Sequence, residues 1–141
     1  MAGGKFDHPA RKLHAQDLLS LENRGGVWSY SRAGLNFTVS IVWVQGKVIS
    51  FTEDKTQVTL QDGNIDMIIT NCHAIPGGNA WISQGQYIMV VGEVQEEPDG
   101  KNTVRAIKMA DLSSNPVHAA TWKNEVAEIK ALMRENASLC S

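Results

Sequence analysis

Four histidines, His8, His14, His73 and His118, and two cysteines, Cys72 and Cys140, are the side chains in this sequence most suited to metal binding or nucleophilic chemistry. No two of the histidines stand four residues apart, and no Cys/His set has the spacing that tetrahedral zinc requires. Cys72 and His73 are adjacent, so on a strand they would point to opposite faces and make a poor nucleophile and base. A buried or surface-neutral role is the expectation for both. The glycine-rich "PGGN" of residues 76–79 has no Lys, Ser or Thr at phosphate-loop spacing and follows no βαβ pattern. Glu96, Glu97 and Asp99 crowd one predicted turn, where solvation explains them. These residues imply no enzyme, no bound metal and no cofactor.

Composition narrows the alternatives. A chain of 141 residues suits one domain with a single core and a terminal helix to spare. Thirteen Lys and Arg against fifteen Asp and Glu leave a net charge of −2, which weighs against dedicated nucleic-acid binding, since that needs clustered basic charge. No apolar run approaches the ~18 residues of a membrane span. "MAGGKFDHPARK" at the start has no hydrophobic segment, so no secretory signal is expected there. Two cysteines without a CxxC pair suit a reducing interior compartment.

The pattern along the chain supplies the elements. "PARKLHAQDLLSLEN", residues 9–23, reads as a short helix with apolar Leu13, Leu18 and Leu21, ended by "RGG". "VWSYSR" alternates at period two and predicts a strand. A long strand follows through Phe37, Val39, Ile41, Trp43 and Val48, and then "QVTLQDGNIDMIIT" predicts a hairpin turning at Asp-Gly. "YIMVVGEVQ" and "TVRAIKMADLS" are two further strands. A long helix closes the chain, with Asn115 as its cap and Pro116 at its first position. The expected organisation is an arm and short helix at 1–26, a barrel at 27–113, an interaction helix at 114–136 and a flexible tail at 137–141.

Two strands carry a glycine where the apolar run should continue: Gly46 in "SIVWVQGKVISF" and Gly92 in "QYIMVVGEVQ". A glycine inside a strand commonly marks a bulge or sharp bend. The fold this predicts is mainly β: a single five-stranded Greek-key barrel of the OB type, its first strand bent at Gly46 to serve both halves, with an N-terminal and a long C-terminal helix. An ordinary sandwich with incidental glycines is the alternative.

OB barrels often bind single strands through a basic groove and stacking rings on their second and third strands. Here those strands, "QVTLQ" and "IDMIIT", hold no aromatic, Lys or Arg. The other class of function is protein interaction. Trp122, Val126, Ile129 and Met133 form a seam along the last helix. Either it packs on its own barrel, or part of it projects and meets a partner, because a helix of about twenty residues reaches ~30 Å and outruns a small barrel. The second reading is preferred.

"IVWVQGKV", "GQYIMVVGEVQ" and above all "AIKMADLSSNPVHAATW" give the chain its resemblance to a family. It resembles the second, smaller subunits of the RMI (RecQ-mediated genome instability) complex over residues 27–129, most specifically at 106–118, Trp122 and Glu125. The resemblance thins between 51 and 85, and nothing is carried over there. It implies a non-catalytic, nuclear OB-fold subunit that heterodimerises with the C-terminal OB domain of the larger RMI subunit. Through that pair it implies a place with a Bloom-type RecQ helicase and topoisomerase III in double Holliday junction dissolution. It also implies a peptide from the Fanconi anaemia M translocase as a partner, and little direct DNA binding. Lys108 matches a functionally important lysine of the family, expected to reach an acidic or carbonyl group across the subunit boundary. Trp43 and Trp122 match family tryptophans, Trp43 being read as barrel core. The alternative function is a single-stranded DNA-binding relative of the replication protein A middle subunit.

Overall fold

A computed structural model describes residues 10–32 and 34–140, with side chains through 135. The elements run β1 (Arg11–Lys12), α1 (Ala15–Leu19), β2 (Glu22–Arg24), β3 (Val27–Arg32), β4 (Leu35–Val39), β5 (Ile41–Phe51), β6 (Val58–Asp62), β7 (Ile65–Thr70), β8 (Tyr87–Glu96), β9 (Asn102–Asp111) and α2 (Val117–Cys140). A 3-10 turn, Cys72–Ala74, follows β7.

β5, β6, β7, β9 and β8 pair in that order, and β8 pairs back onto β5 to close the barrel. Only the β7–β9 contact is parallel within it. Numbered within the barrel, the order 1-2-3-5-4 is that of the OB fold. Its interior is filled from alternate positions, with Val42, Val44 and Val48 of β5 facing Leu60, Ile69 and Val90 from neighbouring strands.

β5 serves both halves of the closed sheet. It pairs with β8 over residues 41–47 and with β6 from Lys47 onward. Gly46 stands one residue before the change of partner, and a Cβ there would lie 2.8 Å from the Gln61 carbonyl oxygen. Gly92 lies at the register shift between β8 and β9, where a Cβ would meet Val104 Cγ1 at 2.7 Å and drive into the Arg105 carbonyl. Both glycines are needed for close approach of backbones, not for an unusual φ.

Outside the barrel the structure departs from the expected elements. The N-terminal helix spans only Ala15–Leu19, because the chain enters it from β1, which pairs parallel to β5. Asp17 accepts a hydrogen bond from the His14 backbone N–H at the helix start. Leu13, Leu18 and Leu21 are all buried, but on an irregular path. "RGG" makes the β2–β3 turn, with Gly25 and Gly26 both at positive φ. β2, β3 and β4 form a separate three-stranded sheet, so residues 27–39, read with the barrel, stand beside it. α1 contacts β7 and β9 where their pairing is short. There the Asn102 amide donates to the Leu18 and Leu21 carbonyls at 3.0 Å each. Asn115 Oδ1 accepts from Val117 N–H at 3.1 Å at the start of α2. That helix continues to Cys140, where a tail had been expected from 137. His8 and the first part of the arm lie outside the described residues, as do residues 33 and 141.

Gly92→Val is expected to lower stability by about 1–3 kcal/mol, the usual cost of overpacking. Urea denaturation would read that loss, and an unchanged midpoint would show that β8 and β9 can separate there freely.

Candidate interaction surface

The apolar seam of α2 lies largely against its own chain. Trp122 is 2% exposed and Val126 1%, while Ile129 and Met133 are half-buried. Ile41 and Met89 are buried too, yet none of Ile41, Met89, Trp122 and Val126 belongs to the barrel interior. Ile41 and Met89 alternate with the interior residues Val42 and Val90, so they face outward from β5 and β8. α2 therefore lies over the outer flank of the barrel. The expected projection of the seam fails at Trp122 and Val126: both are buried, and the indole lies against His14 and Asp62. Farther along, Met133 meets Arg11 of β1 and Lys130 meets Tyr30 of β3, and α2 contacts both β4 and β5. Near its far end, Ile129 and Met133 line a cleft of about 350 Å3 with Arg11, Lys12 and Ile41.

Polar groups fix the helix in place. Asp62, at the end of β6, accepts through Oδ2 from Trp122 Nε1–H at 3.2 Å and from Ala15 N–H at 3.1 Å, and pairs with His14 Nδ1 at 3.0 Å. The His14 ring meets the Trp122 indole edge-on with centroids 5.7 Å apart. Asp17 binds the Lys130 ammonium at 2.7 Å, and that ammonium lies over the Tyr30 ring. Burial alone would raise the Asp62 carboxyl, but the bonds from His14, Ala15 and Trp122 and the charge of His14 outweigh it and hold the group below its ordinary value. Sequence reading missed this cluster. Asp62 is legible only as a turn residue, and nothing local announces partners 48 and 60 positions away.

Two surfaces remain open on this flank. On the side of α2 turned away from Trp122 and Val126, Ala120, Ala127 and Ala131 are exposed, and past the exposed Asn124, Glu128 and Glu135 stands Leu132 at 58%; Val117, at the helix start, is 48% exposed. On the sheet, register aligns Lys12, Trp43, Val91 and Lys108 in one row across β1, β5, β8 and β9. Trp43, expected in the core, is half-buried and outward. The Lys12 ammonium stands over its ring at 4.8 Å. Trp43 Nε1–H donates to Gln45 Oε1 at 2.9 Å, and the Gln45 amide donates to Tyr87 OH at 3.1 Å. Lys108 is exposed at the end of this row.

The remaining candidates take structural places. Cys72 is buried in its 3-10 turn, and burial pushes its thiol up to about 11, leaving little thiolate at neutral pH. Asp99 accepts from the Lys101 N–H and Glu97 from the Thr103 hydroxyl, so both help build the β8–β9 turn. Among the described residues, no group of three His, Cys, Asp or Glu side chains is placed to hold a metal ion.

A closed 1-2-3-5-4 barrel with a helix fastened to its flank defines an OB-fold protein. The same architecture occurs in the S. pombe Stn1-Ten1 complex, with a TM-score of 0.73 at 10% identity, covering 95% of this chain and all of that one. It occurs again in a replication protein A heterotrimer bound to single-stranded DNA, with a TM-score of 0.70 at 12% identity over 89% of this chain and 98% of that one. The model of the family RecQ-mediated genome instability protein 2 matches residues 9–130, and the chain belongs to that family. The Gallus gallus member is 35% identical over 92% of this chain and 96% of its own length. The Mus musculus member is 32% identical over 86% and 81%.

Because the folded state holds the Asp62 pKa low, its stabilisation is present above the unfolded value of about 3.9 and is lost as pH falls through the lower folded value. Asp62→Asn should therefore melt below the parent at neutral pH, by about 1–3 kcal/mol for a hydrogen-bonded charge. The two melting curves should converge in strong acid. A gap that persists below the folded pKa would show that the carboxylate charge is not what stabilises the clasp.

Proposed function

We propose that the chain is a non-catalytic nuclear subunit that pairs with the C-terminal OB domain of the larger RMI subunit. In this reading it supports the RecQ helicase–topoisomerase III assembly in double Holliday junction dissolution. Membership of the family supports the assignment, and one feature of the fold carries the interaction. α2 is fastened along one side and exposes Ala120, Ala127 and Ala131 along the other, with Val117 at its start and Leu132 beyond Asn124 and Glu128. Small side chains let a second helix approach closely, and the larger apolar ones at the border supply area to bury. Contact with the partner then falls on Ala127, Ala131 and Leu132, with Ile129 and Met133 at its margin, while Trp122 and Val126 act by seating the helix.

The row ending at Lys108 is suited to a second, peptide partner, such as a segment of the Fanconi anaemia M translocase. Trp43 and Val91 offer apolar contact, and the exposed ammonium of Lys108 offers a charge to an acidic or carbonyl group. Single-stranded DNA binding is the weaker reading. The outward positions of β6 and β7 include Thr59, Gln61, Asp66 and Ile68, which offer neither stacking rings nor cations.

Leu132→Glu and Ala127→Arg should each abolish co-purification of the larger subunit while leaving the melting temperature near that of the parent. Val126→Glu should instead unseat α2 and destabilise the isolated chain by several kcal/mol, since it buries an unpaired charge (about 3–5 in comparable cases). Retention of the partner by Leu132→Glu would place the interface elsewhere. Submicromolar, salt-dependent binding of an oligonucleotide by the isolated chain would favour the DNA-binding reading.

A further inference from the structure

The outer face of β6 and β7 is a second surface, meeting the flank that carries α2 only at Gln61, which lines a cleft with Trp122. Val58, Leu60, Met67 and Ile69 point into the core, which turns the paired residues Thr59 and Ile68, and Gln61 and Asp66, outward. Two clefts of about 550 and 480 Å3 adjoin on this face and share Ile68 and Thr103. The first reaches Leu19, which is 46% exposed, and the second reaches Pro98 in the β8–β9 turn. The charged residues lining the two are Asp66, Glu97, Asp99 and Lys101, three acids against one base, for a net charge of −2.

We propose that this groove docks a short, extended segment of another protein in which lysine or arginine alternates with aliphatic residues. The aliphatic side chains would lie between Ile68 and Leu19, two apolar groups that line the groove. The cations would meet Asp66, whose Oδ1 has only a long 3.4 Å contact from the Gln61 amide, and the acids of the β8–β9 turn. An extended stretch of about ten residues, near 33 Å, is ample to cross both clefts. The same acids repel a phosphate backbone, so this face of the barrel selects against nucleic acid and for a basic polypeptide.

Fluorescence anisotropy with the full chain tests this. The probes are a labelled peptide of about ten alternating lysines and leucines, the same peptide with glutamate for lysine, and an oligothymidylate; an extended ten-residue segment suffices to span the site. The basic peptide should bind saturably in the micromolar range and weaken as salt rises. Neither anionic probe should bind. Asp66→Lys should weaken binding about tenfold by reversing a charge at the contact. Leu19→Gln should also weaken it, whereas Glu135→Lys, the same charge reversal on α2, should leave it unchanged. Melting temperatures of the three variants, all at exposed positions, confirm folding. Equal weakening by Glu135→Lys, no effect of Asp66→Lys, or comparable binding of oligothymidylate would overturn the proposal.

Discussion

A single carboxylate draws the start of α1 and the first turns of α2 to the barrel. Asp62 closes the β6 strand beside a two-residue turn, and its Oδ2 gathers groups from His14, Ala15 and Trp122. Apolar burial would hold α2 on the barrel in many orientations, because it has no direction. Hydrogen bonds select one. The Asp17–Lys130 pair adds a second anchor eight residues beyond Trp122, about 12 Å along the helix at 1.5 Å per residue. Two anchors fix a line, so they determine which side of α2 faces outward and therefore what the chain can present to a partner.

The barrel supplies the rigid base for those anchors. It closes only because β5 can exchange β8 for β6 next to Gly46, and because β8 can pass close to β9 at Gly92. Closure packs the interior with valines, leucines and isoleucines, and the surfaces described above lie on the outside of the barrel. There the flank under α2 is apolar and fastened, the row from Lys12 to Lys108 is aromatic and cationic, and the face of β6 and β7 is acidic.

Much of this was legible before the structure. The hairpin, the glycine-broken strands and the capped final helix are written in local patterns, because turns, bends and caps depend on residues a few positions apart. The N-terminal helix was not, since Leu13, Leu18 and Leu21 have the spacing of a helix face but are buried along a path of strand, single turn and strand. The seam on α2 was identified correctly as apolar, but Trp122 and Val126 lie buried against the chain itself where projection was expected. The indole of Trp122 is covered by His14 and Asp62, residues distant in sequence whose positions no local pattern reveals. Trp43 was misplaced for a related reason: in a strand of eleven residues, one step of register moves a side chain from the core to the surface. The clasp was invisible altogether, being a set of long-range contacts between individually ordinary residues.

The most direct test is hydrogen exchange at the Trp122 indole N–H in the isolated chain, followed by NMR. If Asp62 fastens the helix to the barrel without help from any partner, that proton should exchange far more slowly than a free indole, and Asp62→Ala should restore fast exchange while the barrel amides stay protected. Rapid exchange in the parent chain would mean that α2 is seated only in a complex, and the clasp would not be the constraint on which the rest of the surface depends.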